Sequence, residues 1–431
     1  MSIDLDTRCA SQWVVGQPGV GKTNLLLHML ESDLERDACT ICMDAKGELT
    51  AAVRELHIEG LRIIDPRNPV AINPLDVGED AIDQLLFLFT AIAENAKVTP
   101  KQEAFLRPLL RAMVTGFPDP TLATLQTVIN DKRPFQSHIQ QLPPDLRNFF
   151  DVEWGDYDAT RSELTWRLRL LLDNRLIRAL FSAPKTRFKM PLEMNRRGPI
   201  VIDNSIALVG KLGSAFMGKY FLSAIWEGAM ARFLHPRREK KLVFVYLDEA
   251  DTVIDHTIAD IIDKCRAARI CLILAIQRKG QIKDPNVLSA LEDCAIKMVN
   301  VGAEASYFSK LLHIPEERLC PQPLGHLPRG QFAIHVRGKG SEIVTVPRAK
   351  LPFRNMTEAE TKAHQQRMID LYGYETPVKV TTQTAPERAV SVSPSREGKA
   401  GAKISSAGIS PEVDRPIVSD DLPAPAVWKR D

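Results

Sequence analysis

The sequence predicts an α/β protein: a mostly parallel sheet whose two halves are separated along the chain by an all-helical insertion. Three observations predict it. Short apolar runs alternate with helical stretches before residue 66 and again after residue 198, the pattern of a parallel sheet covered on both faces. Strand signals vanish between about residues 79 and 195, where apolar residues recur at helical spacing. A glycine-rich turn follows the first strand and opens a helix.

The elements follow in order. QWVVG (12–16) reads as a strand and 22–31 as a helix. ACTICMD (38–44) is a second strand, 47–56 a helix and LRIID (61–65) a third strand. In the insertion, AIDQLLFLFTAIAE, QEAFLRPLLRAMV and SELTWRLRLLLDNRLIRALF carry helical periodicity. Breaks at Thr99-Pro100, FPDP and LPPD separate them. Strands resume at PIVID (199–203), KLVFVYLD (241–248), ICLILAI (270–276), AIKMVNV (295–301), QFAIHV (331–336) and EIVTV (342–346). A helix is expected near 357–371, capped by Thr357 with Glu358 and Glu360 in its first turn. From Thr376 the chain is rich in Pro, Ser, Ala and Lys and holds one aromatic residue, Trp428. Such a segment buries too little surface to offset its ordering entropy and is expected to be a disordered tail, either a docking segment or an inert linker. The expected organisation is a sheet domain over 1–78 and 196–355, an insertion over 79–195, a C-terminal helix over 356–375 and the tail over 376–431.

Composition narrows the function. At 431 residues and 44% hydrophobic content the chain can bury a sizeable core. Its formal net charge of +2 excludes a global basic field, so nucleic acid would be met only through local basic surfaces. The 7 cysteines are scattered, as in a reducing compartment. Cys39 and Cys42 form a CxxC on an apparent strand with no second pair, which reads as core thiols and not a metal site. The longest apolar runs, near 85–93 and 270–276, are about half the ~20 residues a membrane span needs. The N-terminus lacks the layout of a signal peptide. The chain is therefore expected to be soluble and cytoplasmic, with no direct membrane span.

The glycine-rich turn carries the chemistry. Gly16-Gln17-Pro18-Gly19-Val20-Gly21-Lys22-Thr23, followed by Asn24, fits GxxxxGK[ST] in full and has the strand–turn–helix context that motif needs. Its backbone N–H groups and the helix dipole suit a nucleotide phosphate. Lys22 is placed for the β- and γ-phosphates and the Thr23 hydroxyl for Mg²⁺. VFVYLDEAD supplies the carboxylates: Asp248 to hold Mg²⁺ through water, and Glu249 to polarise the attacking water. That pair argues for ATP hydrolysis and against a kinase. Gln277, after the next strand, is either a γ-phosphate contact or simply the first polar residue beyond the strand. Arg266 and Arg269 are either arginine fingers for a neighbouring subunit or solvated helix residues. Arg161, Arg167, Arg169, Arg175 and Arg178 of the insertion are either a solvated face or a contact for DNA or a relaxosome.

The set of motifs resembles a known family. After the second strand the chain reads MDAKGEL, with Asp44, Lys46 and Glu48, and after the third INPLD, with Asn73, Pro74, Leu75 and Asp76. A phosphate loop followed by D-x-K-G-E and N-P-L-D, a helical domain, and then LDEAD with CRAARICLILAIQ resembles the type IV secretion coupling proteins of bacterial conjugation, the TraG/TraD type. They belong to the HerA/FtsK superfamily of hexameric DNA pumps. The resemblance covers about residues 12–350. It implies a RecA-like P-loop NTPase fold, ATP and Mg²⁺ as cofactors, and sequence-independent contacts to the DNA backbone. It also implies a homo-hexamer, with relaxase and secretion-channel ATPases as partners. It assigns Lys22 and Thr23 to nucleotide and Mg²⁺, Asp248 and Glu249 to metal and hydrolysis, Gln277 to the γ-phosphate and Arg266 to the inter-subunit finger, with Arg269 as substitute. Asp44, Lys46 and Glu48 match an element expected near the nucleotide edge or the subunit interface. Coupling proteins usually begin with two membrane helices, whereas here the first strand starts by residue 12. Two arrangements are therefore expected: docking at the inner face of the cytoplasmic membrane through a partner, or a free motor more like HerA. A nucleotide-gated adaptor ring is the non-motor alternative.

Overall fold

The computed structural model describes residues 3–92, 98–234, 240–254, 258–314 and 324–374. The tail expected from residue 376 lies outside them. Each apolar run expected as a strand is one, to within two residues at either end. The strands are β1 (Gln12–Gly16), β2 (Ala38–Asp44), β3 (Arg62–Ile64), β4 (Gly198–Ile202), β5 (Leu242–Asp248), β6 (Ile270–Ile276), β7 (Ile296–Asn300), β8 (Gln331–Val336) and β9 (Gly340–Thr345). They form one sheet in the order β3-β4-β2-β5-β6-β1-β7-β8-β9. Pairing is parallel from β3 to β7, and β8 and β9 add an antiparallel hairpin at one edge.

A parallel strand buried on both faces needs apolar side chains on both, and successive residues alternate between them. In β6, Ile270, Leu272, Leu274 and Ile276 enter one core, while Cys271, Ile273 and Ala275 enter the other. The same alternation decides the CxxC. Cys39 and Cys42, three residues apart on β2, lie in opposite cores and cannot share a metal. One pairing escapes the spacing: Cys9 and Cys271 are joined as a disulfide, because α1 (Leu5–Cys9) packs on β6.

The smaller core is closed by α2 (Lys22–Leu34) and α3 (Glu48–Arg54), through Leu25, Leu26, Leu30, Leu49 and Val53. The larger core covers the opposite face of the sheet and runs without interruption into the insertion. That segment is helical as its periodicity requires. It comprises α4 (Ile82–Phe89), α5 (Pro100–Gly116), α6 (Leu122–Asn130), α7 (Gln136–Ile139), α8 (Pro144–Asp151), α9 (Asp158–Asp173), α10 (Arg175–Leu180) and α11 (Met190–Glu193). Thr99, at the predicted break, closes a capping box with Gln102 at the start of α5. α12 (Ile206–Leu234) packs against α4, α10 and α11 and joins the insertion to the sheet. Two of the five insertion arginines named above are built into this packing. Arg161 donates to the Ile129 carbonyl and lies over Trp154, and Arg167 donates to the Ile92 carbonyl. Arg169, Arg175 and Arg178 are exposed. The remaining helices are α13 (Ile258–Cys265), α14 (Pro285–Glu292), α15 (Ala305–Leu311) and α16 (Glu358–Tyr372). Thr357 caps α16 with Glu360, as expected. No described helix is long and apolar enough to cross a membrane.

Candidate active site

Parallel strands deliver their C-terminal ends to one edge of the sheet, and ligands gather there. β1 ends in the turn 16–23, which opens α2. Gly19 (φ +85°) and Gly21 (φ +98°) adopt left-handed backbone that a side chain would strain. A Cβ at Gly19 would meet nothing within 4 Å, so the backbone there faces open space, as a phosphate cradle requires. The turn borders a cavity of about 370 Å³ whose other walls include Lys46, Glu48, Gln277 and Arg329.

The tip of β5 faces this turn. Lys22 reaches across to bond Asp248, and its Nζ lies 3.3 Å from Glu249 Oε1. All three side chains are buried. Glu249 sits in left-handed backbone (φ 55°, ψ 44°), a conformation that costs a non-glycine residue about 1–3 kcal/mol and concentrates at functional sites. Its carboxylate is held on both oxygens. Lys46 Nζ approaches Oε1 at 2.6 Å, and Gln277 Nε2 donates to Oε2 at 2.7 Å. Burial alone would raise its pKa, but the Lys46 hydrogen bond, the Lys22 charge and the Gln277 donor outweigh burial and hold it below the usual carboxylate range. Asp251 is pushed the other way by its own burial and by Glu249.

The D-x-K-G-E element closes the site from β2. Asp44 stands in register with Asp248 on the adjacent strand. It faces the protein, not the ligand: its Oδ1 accepts from Lys46 N and its Oδ2 from Leu49 N, each at 2.8 Å. It thereby shapes the turn that presents Lys46 and Glu48. Glu48 accepts from the Thr23 hydroxyl at 3.2 Å. Beyond Gln277 the loop is pinned twice. Gln281 Oε1 accepts from the N–H groups of Gln277 and Arg278 while its amide donates to Asp251, and Glu304 accepts from Lys279 N and Gly280 N.

The structure therefore brings Lys22, Thr23, Lys46, Glu48, Asp248, Glu249 and Gln277 together. Asn24 borders the cavity, but its amide is engaged with the backbone: Nδ2 donates to the Pro347 carbonyl and Oδ1 accepts from Ala349 N, each at 2.9 Å. Arg266 and Arg269 stand apart. Both are exposed and precede β6 at the opposite edge of the sheet, roughly 20 Å from Gln277 by the rise of a seven-residue strand. Neither reaches the cradle of its own chain. Arg329 was not foreseen. It lies in the turn before β8, and nothing in the sequence LPRGQF marks it.

The oxygen donors Thr23 and Asp248 suit a hard cation such as Mg²⁺, and the cradle suits a polyphosphate. Larger hollows exist, of about 600 Å³ beside α16 and about 660 Å³ around Asn73 and Tyr220. Neither has a phosphate-binding turn.

Residues 7–193, from α1 through the insertion, match the family model for the central domain of helicase HerA. Three solved structures share the architecture. One is the bacterial conjugative coupling protein TrwB in a sulphate-bound form, at 16% identity and a TM-score of 0.60, covering 82% of this chain and 89% of that one. TrwB in complex with ADP and Mg²⁺ gives 15% and 0.59 over the same shares. VirB4 of Thermoanaerobacter pseudethanolicus gives 16% and 0.54, over 80% of this chain and 92% of that one. The fold is that of the coupling-type P-loop ATPases. The resemblance read from D-x-K-G-E and N-P-L-D is thus borne out in the fold and in the HerA match. No curated protein matches the chain by sequence.

Proposed function

We propose that this chain is an ATP-hydrolysing DNA translocase that acts as a ring-shaped coupling ATPase in conjugative transfer. The observation that carries the hydrolytic part is Glu249. A carboxylate held on both oxygens beside a second carboxylate, opposite a phosphate-loop lysine, is a base for water and not a phosphate acceptor. Lys22 would pass from Asp248 to the β- and γ-phosphate oxygens. Thr23 and Asp248 would hold Mg²⁺, which neutralises developing charge on the phosphates. Gln277, bonded to Glu249, would report the γ-phosphate to the loop pinned by Gln281 and Glu304.

In this reading Arg266 serves a neighbouring subunit, because at the far edge of the sheet it does not reach the cradle of its own chain. That arrangement joins hydrolysis to an interface, and a homo-hexamer is the closed form we infer. DNA would be held by its backbone, with Arg169, Arg175 and Arg178 as exposed cations for it. A relaxase and secretion-channel ATPases are the inferred partners, and docking at the inner face of the cytoplasmic membrane through one of them is the inferred location. The HerA match favours a second reading, a cytoplasmic pump for double-stranded DNA.

Steady-state ATPase measured with and without single- and double-stranded DNA tests the proposal, with Glu249→Gln as control. DNA stimulation that is lost in the control is expected. Single-strand preference supports conjugative transfer and double-strand preference the HerA-like pump. Turnover indifferent to both would overturn the motor and leave a nucleotide-gated ring.

A further inference from the structure

One cation in the site has no part in the hydrolysis described above. Lys46 belongs neither to the phosphate loop nor to the β5 tip, yet its Nζ makes the shortest charged contact to Glu249, 2.6 Å from Oε1 against 3.3 Å for Lys22. The same oxygen is thus shared by two lysines. We propose that Lys46 is the positioning residue of the catalytic base: it holds the Glu249 carboxylate in place once phosphate has claimed Lys22. This rests on the hydrolytic reading above.

Three features of the geometry support it. Lys22 is already divided, bonding Asp248 as well as Glu249, and its place in the phosphate loop commits it to the nucleotide. When it turns to phosphate, Oε1 keeps only Lys46 and Oε2 keeps Gln277. Second, Glu249 leaves the end of β5 in a left-handed turn whose carbonyl is fixed by Thr252 N and Oγ1, so the backbone is held while the carboxylate takes its orientation from its side-chain partners. Third, Lys46 is itself anchored. Asp44 fixes the turn that carries it through Lys46 N and Leu49 N, while Asp44 N donates to Asn204 Oδ1 at 3.2 Å. β2 and β5 are neighbours in register, so the lysine and the glutamate are set against each other by the sheet. Lys46 is half-exposed while Glu249 is buried, so the ammonium reaches inward from the cavity wall. An exposed ion pair would be worth little, but a pair with one buried member whose other oxygen is also fixed restrains a geometry.

The test uses the full chain with Lys46→Met and Lys46→Arg, each alone and combined with Glu249→Gln. The readouts are kcat and KM for ATP, single-turnover rate, and the equilibrium Kd of a fluorescent ATP analogue. A positioned general base contributes about 10²–10⁴-fold, and loss of the group that orients it should forfeit part of that, about 10–100-fold. Lys46→Met is therefore expected to lower kcat by that factor while KM and the analogue Kd stay within about twofold. Lys46→Arg should recover most of the rate. In the Glu249→Gln background Lys46→Met should change the single-turnover rate little, because residues acting as a unit do not add. An unchanged kcat overturns the proposal. So does a tenfold weaker Kd at constant kcat, which would make Lys46 a phosphate ligand. A rate loss of equal size in the Glu249→Gln background overturns it as well. Failure of the hydrolytic reading is seen separately, as absence of turnover in the unsubstituted protein.

Discussion

Two clusters of paired charges stand at the same edge of the sheet and behave differently. In the centre, Lys22 and Lys46 hold Asp248 and Glu249 beyond β5. At the margin, Arg54 and Arg67 hold Asp65 beyond β3 and Asp203 beyond β4. The marginal cluster borders the larger cavity, about 600 Å³ against about 370 Å³. Size therefore does not mark the candidate active site; what differs between the two clusters is the cation that bonds the carboxylates. Arg54 spans the two aspartates with one fork, Nη1 at 2.6 Å from Asp203 and Nη2 at 2.7 Å from Asp65. A guanidinium so placed is a fixed brace. A lysine ammonium is a point charge on a flexible stem, and Lys22 can exchange a carboxylate for a phosphate without rebuilding its surroundings.

The contrast can be broken by substitution. Lys22→Ala should abolish turnover and weaken nucleotide binding by at least about 100-fold, as removal of a charge-assisted phosphate contact implies, read by fluorescence titration. Glu249→Gln should lower kcat by about 10²–10⁴-fold, the range for a general base, and leave ATP trapped on the protein. In a ring, Arg266→Ala should stop hydrolysis but spare binding, and mixing it with Lys22→Ala subunits should restore part of the rate. At the margin, Arg54→Ala should leave the nucleotide Kd unchanged and cost about 2–3 kcal/mol of stability. That is below the 3–5 kcal/mol of a fully buried pair because Arg54 is 23% exposed, and urea unfolding measures it.

The smallest effect is in pH. Burial would raise Asp65, but Arg67 and Arg54 outweigh burial and hold its pKa below the usual range. A carboxylate depressed on folding contributes stability above its unfolded pKa, about 3.9, and loses it as pH falls through the folded value. Acid unfolding of the unsubstituted protein should therefore begin below about pH 4, and Arg54→Ala should move its onset upward.

The same contrast explains what could be read in the sequence. The central cluster lies at the ends of long apolar runs, VFVYLD and ICLILAI, so the strand ends and their polar tips were legible together. So was the cradle, because glycine spacing and lysine position are local. The Arg54–Asp65–Asp203 brace joins residues up to 149 apart along the chain and leaves no local pattern. Lys46 came only with the family motif, since its partner Glu249 is 203 residues away. Arg161 and Arg167 could not be told from Arg169 by spacing, because what sets them apart is a carbonyl on another segment, Ile129 for Arg161 and Ile92 for Arg167. Cys9 and Cys271 were hidden by a separation of 262 residues.

The roof of the phosphate cradle has a mechanical meaning. Gly330 N donates to the Val20 carbonyl at 2.8 Å, and Val346 N donates to the Gly330 carbonyl at 2.7 Å. Asn24 ties the first turn of α2 to the strand exit at Pro347 and Ala349. The loop that grips phosphate is thus stitched to both ends of the β8–β9 hairpin, whose outer strand is the margin of the sheet. A shift of the loop would load these hydrogen bonds and, through them, the hairpin that β7 also holds. A spectroscopic label on the exposed face of β9, at Ile343, would show whether occupancy of the cradle reaches that margin.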